Sequence, residues 1–137
     1  MDNEPLRIGR ITRSAEKSLG ISLTGSVLIY MEGEALDRLA AKRPDDYLSY
    51  IQELESILKE PDFVAFDQEN ERMVFTRGYF RNAAWSVVYL CVEKRGTPSR
   101  WTFAGISTGA ALPLPKAFED LRFVRVINNK NVSKAKS

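Results

Sequence analysis

Hydrophobic positions recur at two spacings along this chain, and the change from one to the other falls at Pro61. Ahead of that proline, Leu36, Leu39 and Ala40 share one face of a helix expected over residues 34–43, at i, i+3 and i+4. Pro44 breaks it, because its ring disfavours the α conformation at Arg43. Asp45 then reads as the N-cap of a second helix over 45–59, in which Tyr47, Tyr50, Ile51, Leu54, Ile57 and Leu58 form a continuous apolar stripe. Beyond Pro61 the period is 2. DFVAF (62–66) and RMVFTRGYF (72–80) read as strands joined by a polar turn. AWSVVYLCVEK (84–94), rich in β-branched and aromatic residues, is the strongest strand pattern, and RWTFAGIS (100–107) is its expected hairpin partner.

The flanks add a helix over 10–19 stopped by Gly20 and a short strand in GSVLIYM. Pro113 and Pro115 bracket a turn before a short helix over 116–121, and RFVRVI is a final strand candidate. Residues 128–137 carry no core pattern and read as a flexible polar tail. The sum is an α+β fold, one domain over 1–127, with N-terminal helices packed on an antiparallel sheet of about four or five strands. The stripe of the 45–59 helix needs an apolar partner. Either Val87, Tyr89 and Cys91 or the alternate set Val88, Leu90 and Val92 should supply it.

Composition narrows the chemistry. The chain has 137 residues, no histidine, one cysteine and a net charge of +2. The common zinc sites are thereby excluded, and Cys91, inside the apolar run VVYLCV, reads as a buried structural thiol. No dinucleotide or nucleoside-triphosphate glycine motif is present, and no serine–aspartate pair has a base partner. No cofactor or metal is expected: Glu32, Glu34 and Asp37 could hold a divalent ion, but acids at a helix start ordinarily complement the macrodipole. No apolar run approaches the roughly 18 residues of a membrane span, so a cytoplasmic protein without membrane contact is expected. The charge is unevenly spread. Residues 31–62 hold nine acids against four bases, and residues 67–137 hold twelve bases against six acids. If the strands form one sheet, its exposed face is a candidate polyanion surface.

Two motifs in this order, KRPDDY (42–47) and KEPDFV (59–64), followed by a meander carrying VFTRGYF and WSVVYLCV, resemble the Barnase–EndoU–colicin–RelE class of small RNases. The likeness is to the versions carried by phage and mobile elements and covers roughly residues 25–107. It implies a RelE-like fold and a metal-independent RNA-binding or RNA-cleaving domain, toxin-like or accessory in role. RNA, or a protein partner such as an antitoxin, an immunity protein or a host protein, would be its ligand. A catalytically inactive relative serving as a protein-binding module is the alternative. Arg43 stands where the class usually has histidine, and WTFAG stands where an Arg-Ser pair is common. Thr102, Ser107 and Thr108 are the nearby hydroxyls. Other members of the class cleave RNA with lysine, arginine and tyrosine.

On that resemblance the candidate catalytic residues are Lys42, Arg43, Arg77 and Tyr79. Lys42 would act as base or charge stabiliser, since a lysine crowded by cations loses proton affinity. Arg43 and Arg77 would clamp the phosphorane with their forked donors, and Tyr79 would position or stack. Arg77, Arg81, Arg100 and Thr102 are the candidate nucleic-acid contacts, with Lys59, on the acidic helix, expected to take no part. Each has a plainer reading: Lys42 and Arg43 complement a helix C-terminus, Arg77 is an exposed strand residue, and Tyr79 is core.

Overall fold

A computed structural model describes residues 5–42, 47–81, 83–96, 99–109 and 116–127, without the side chains of residues 39, 40, 42, 47–50, 81 and 84. Three helices and seven strands follow in the order β1 (Leu6–Arg10), α1 (Arg13–Leu19), β2 (Leu28–Met31), α2 (Gly33–Lys42), α3 (Tyr47–Lys59), β3 (Phe63–Asp67), β4 (Arg72–Arg81), β5 (Ala84–Arg95), β6 (Arg100–Gly109) and β7 (Val124–Arg125). A 3₁₀ turn, Lys116–Phe118, precedes β7. All seven strands join one sheet in the order β1-β2-β6-β5-β4-β3-β7.

This corrects the expected architecture. The sheet is mixed and larger than four or five antiparallel strands, because β2 runs parallel to β6 with Ile29 beside Trp101 and Tyr30 beside Thr102. Nor do the helices precede the sheet. The chain opens with a strand that pairs antiparallel with β2, from Leu6 opposite Met31 to Arg10 opposite Leu28. LRIGR was not legible as a strand because five residues with two arginines and a glycine carry too little alternation. Pairing with β2 supplies what its own pattern lacks. The helix expected from residue 10 starts at Arg13, where Thr12 Oγ1 accepts the Ala15 N–H and Gly20 closes the other end at φ 70°. The expected cap at Asp45 lies outside the described residues, as do the Pro113–Pro115 turn and the 128–137 tail.

The β3–β4–β5–β6 portion is a continuous antiparallel meander. One face carries the main core: Met73, Phe75, Val88, Leu90, Val92 and Trp101 meet Ala15 of α1 and Ile51, Leu54, Ile57 and Leu58 of α3. The alternate set on β5 therefore faces the helix. Burying side chains such as Leu54 and Ile57, each fully enclosed, stabilises the fold by about 1.5–3 kcal/mol apiece. α3 lies chiefly on β1, where a Cβ on Gly9 would stand 2.9 Å from Leu58 Cδ1. Glycine at that position lets the helix sit down on the strand. The opposite face is partly covered by the 3₁₀ turn, with Tyr89, Val74 and Cys91 under Phe118, Leu121 and Phe123. Among the described residues, no helix is long and apolar enough to cross a membrane.

Candidate functional site

Two clefts lie at diagonally opposite corners of the sheet. The first, about 530 Å³, is lined by Ser14 of α1, Lys59 at the end of α3, the Glu60–Phe63 connection, Arg77 of β4, and Arg125 with Val126 at β7. α3 ends there because Pro61 cannot continue it, and its last carbonyls are left without helical partners. Arg77 Nη1 donates at 3.1 Å to Ser56 O in the last turn, a carbonyl that also accepts the Glu60 N–H at 3.0 Å. Its guanidinium also lies 5.8 Å from the centroid of the Tyr79 ring. One guanidinium N–H is thus spent on the helix end, and arginine has five.

Asp62 organises the same corner. Its N–H donates to Thr76 O at 2.7 Å, and its carbonyl accepts the Val126 N–H at 3.0 Å. Its Oδ2 accepts the Gly78 N–H at 2.8 Å. β7 is held against β3 by Phe63 opposite Arg125, and this pairing brings Arg125 to the cleft. Three cations from three elements therefore share a space with two carboxylates, one of which is turned onto a backbone amide.

The second cleft, about 400 Å³, lies at the β5–β6 turn and includes Tyr30, Glu32, Glu34, Arg95, Arg100 and Thr102. Its cations are matched. Arg95 Nη2 sits 2.8 Å and Nη1 3.9 Å from Glu93 Oε1 and Glu32 Oε1 respectively. Arg100 lies over the Tyr30 ring at 4.9 Å. Thr102 is buried and its hydroxyl donates to the Arg100 carbonyl at 3.2 Å.

The candidate residues read from sequence are thus split. Arg77 and Tyr79 are neighbours on the helix-bearing face. Arg100 and Thr102 lie on the other face, and with Arg77 opposite Val88 and Arg100 opposite Arg95 the two arginines are roughly 25 Å apart by strand geometry. Arg81 closes the β4–β5 ladder opposite Ala84, and nothing is described of its side chain. Lys42 ends α2, its side chain also outside the described set, and Arg43 lies outside the described residues altogether. Lys59, expected to take no part in binding, lines the same cleft as Arg77. Its signal was its place directly before the helix-ending Glu-Pro-Asp step. Arg125 lies in the strand candidate RFVRVI, but its place at the cleft depends on pairing with β3, which the sequence does not show.

Cys91 is buried, and desolvation pushes its thiol above the ordinary range, which leaves little thiolate for nucleophilic chemistry. Among the described residues no three histidine, cysteine, aspartate or glutamate side chains are grouped to hold a metal ion. Compared with protein-family models, with curated proteins and with solved structures, the chain finds no match.

Proposed function

We propose that this chain binds RNA through its phosphodiester backbone in the cleft lined by Lys59, Arg77 and Arg125, as a member of the Barnase–EndoU–colicin–RelE class. The observation that carries it is the convergence of those three cations, drawn from α3, β4 and β7, on one open space. Arginine suits phosphate because its planar fork meets two oxygens at once, and lysine adds a mobile point charge. Tyr79 beside Arg77 supplies a ring next to a cation, a pairing that single-stranded nucleic acids use.

Cleavage is the activity that the class resemblance adds to binding. It requires deprotonation of the 2′-hydroxyl, stabilisation of the pentavalent phosphate and protonation of the leaving 5′-oxygen. Lys42 is the proposed base or charge stabiliser, Arg43 and Arg77 the phosphate clamps and Tyr79 the positioning group, with water supplying the proton to the 5′-oxygen as its bond to phosphorus breaks. The nucleophile belongs to the substrate, so this route uses no metal and leaves a 2′,3′-cyclic phosphate.

Incubation of the purified chain with single-stranded RNA in excess chelator tests both parts. Binding that weakens with salt, with cleavage of RNA but not of an all-2′-deoxy strand, is the expected result. Lys42→Ala or Arg43→Ala should then slow cleavage by roughly 10²-fold or more. Binding without cleavage, unchanged by Arg43→His, would reduce the activity to RNA binding. Salt-independent binding, or none, would overturn the reading.

A further inference from the structure

Among the described residues, the end of the β4–β5 hairpin is paired with no third strand. β3 accompanies β4 only as far as Thr76, opposite Phe63. On the other side, the ladder from β6 to β5 begins at Val87, opposite Gly109. Among the described residues, Tyr79–Arg81 and Ala84–Ser86 pair only with one another, as a two-stranded ribbon. On one face of that ribbon stand the two most exposed aromatic rings of the described residues, Phe80 at 58 % and Trp85 at 71 %. Their centroids are 5.2 Å apart and their planes are tilted by 58°.

Trp85 lies across Gly78. A Cβ at that glycine would sit 3.7 Å from indole Cε3 and Cζ3, in ordinary contact, and 3.7 Å from Asp62 Oδ2. The ring is thus seated on bare backbone and most of its surface faces solvent. Gly78 is also the residue whose N–H is bound by Asp62, a wall of the basic cleft, and its chain neighbour is Arg77. Gly78 therefore brings the exposed indole up to Asp62 on one face of the ribbon, while Arg77, the preceding residue of the strand, points to the other face. Two aromatic rings of roughly 150–250 Å² each fall well short of the roughly 800 Å² per partner that a stable protein interface uses. They are the right size for a nucleobase. Stacking is indifferent to base identity, because every base has a π-face.

We infer that Trp85 is a stacking platform for an unpaired base, with Phe80 buttressing it and the adjacent Lys59–Arg77–Arg125 cleft holding the neighbouring phosphates. This rests on the RNA reading above and narrows the ligand to single-stranded RNA, since a duplex keeps its base faces covered.

Tryptophan fluorescence reads the platform directly. The chain has two tryptophans, and the other, Trp101, is 1 % exposed and out of reach of a ligand. Titration of the full chain with oligouridylate or oligoadenylate at about 50 mM salt should quench the emission, and a duplex of the same length should not. Trp85→Ala should abolish the quench and weaken binding by roughly 5- to 150-fold with the salt dependence unchanged. Trp85→Phe should keep most of the affinity. Retained Trp101 emission and circular dichroism would show that the variants fold. RNA bound without quenching, and equally well by Trp85→Ala, would overturn the platform while leaving the RNA reading standing. No RNA binding at all would remove both. Self-association abolished by Trp85→Ala, seen by sedimentation with no response to RNA, would instead make this surface a protein interface and overturn the proposal.

Discussion

The two clefts hold similar numbers of arginine and lysine side chains and differ in what surrounds them. At the β5–β6 turn, Arg95 is held between Glu93 and Glu32, Glu34 lines the same space, and Arg100 is spread over Tyr30. At the opposite corner, Lys59, Arg77 and Arg125 share their cleft with Glu60 and with an Asp62 whose carboxylate is bound to Gly78. An arginine already paired with carboxylates contributes little to anion binding, because a phosphate must first compete with the local acid. The sequence shows one basic second half. The fold divides it into a corner where charge is matched and a corner where it is in excess.

That contrast is most easily broken by charge reversal. Lys59→Glu, Arg77→Glu and Arg125→Glu should each lower RNA affinity by roughly tenfold at low salt and reduce the log–log salt slope by about 0.7, while Arg100→Glu leaves both nearly unchanged. Titrations at several salt concentrations measure this. Equal losses at the two corners would mean that the whole basic half binds, and the comparison would fail.

A smaller effect tests how the basic corner is assembled. Gly9→Ala places a methyl group 2.9 Å from Leu58 Cδ1 and 3.2 Å from its Cβ, so the Leu58 side chain must turn and α3 must give by a few tenths of an ångström. A loss of about 1–3 kcal/mol in denaturant unfolding is expected. RNA affinity should fall with it, because Lys59 is carried on the same helix. Unchanged stability would show that α3 is not seated as described.

The converse of the first experiment is to free the matched cations. Glu32→Gln combined with Glu93→Gln should raise RNA affinity by roughly two- to fivefold, the scale of exposed ion pairs released. No gain would mean that shape, not charge matching, keeps the second cleft from binding.

The smallest effect concerns pH. The side-chain hydrogen bond from Asn70, followed by Arg72 with Nε 2.9 Å from the carboxylate, holds the Asp67 carboxyl below its usual value. A carboxyl depressed on folding contributes stability that is present above its unfolded value. That contribution is lost as pH falls from about 4 through the folded value. Wild-type unfolding should show this loss, and Asp67→Asn should lack it. Arg72 lies opposite Glu93, so the loss belongs to the charge-matched end of the sheet and RNA binding at the other corner should not follow it.

By itself the sequence determined the elements whose periodicity is strong. The stripe Ile51, Leu54, Ile57 and Leu58 could only be a buried helix face, and the alternation through 72–107 could only be a meander, because each pattern repeats over enough residues to outweigh local propensity. It marked Arg77 as a base within a strand, and Pro61 as the point where the period changes. Tertiary structure decided the rest. A five-residue strand such as LRIGR and a parallel contact between β2 and β6 have no local signature, and RFVRVI marks a strand at Val124–Arg125 without showing its partner, since their hydrogen-bond partners lie far away in sequence. Those same long-range pairings bring Arg125 to the cleft that Arg77 lines and put Arg100 out of its reach. Which cations converge, and which meet a carboxylate first, is a property of sheet order. Periodicity records only which face a residue occupies.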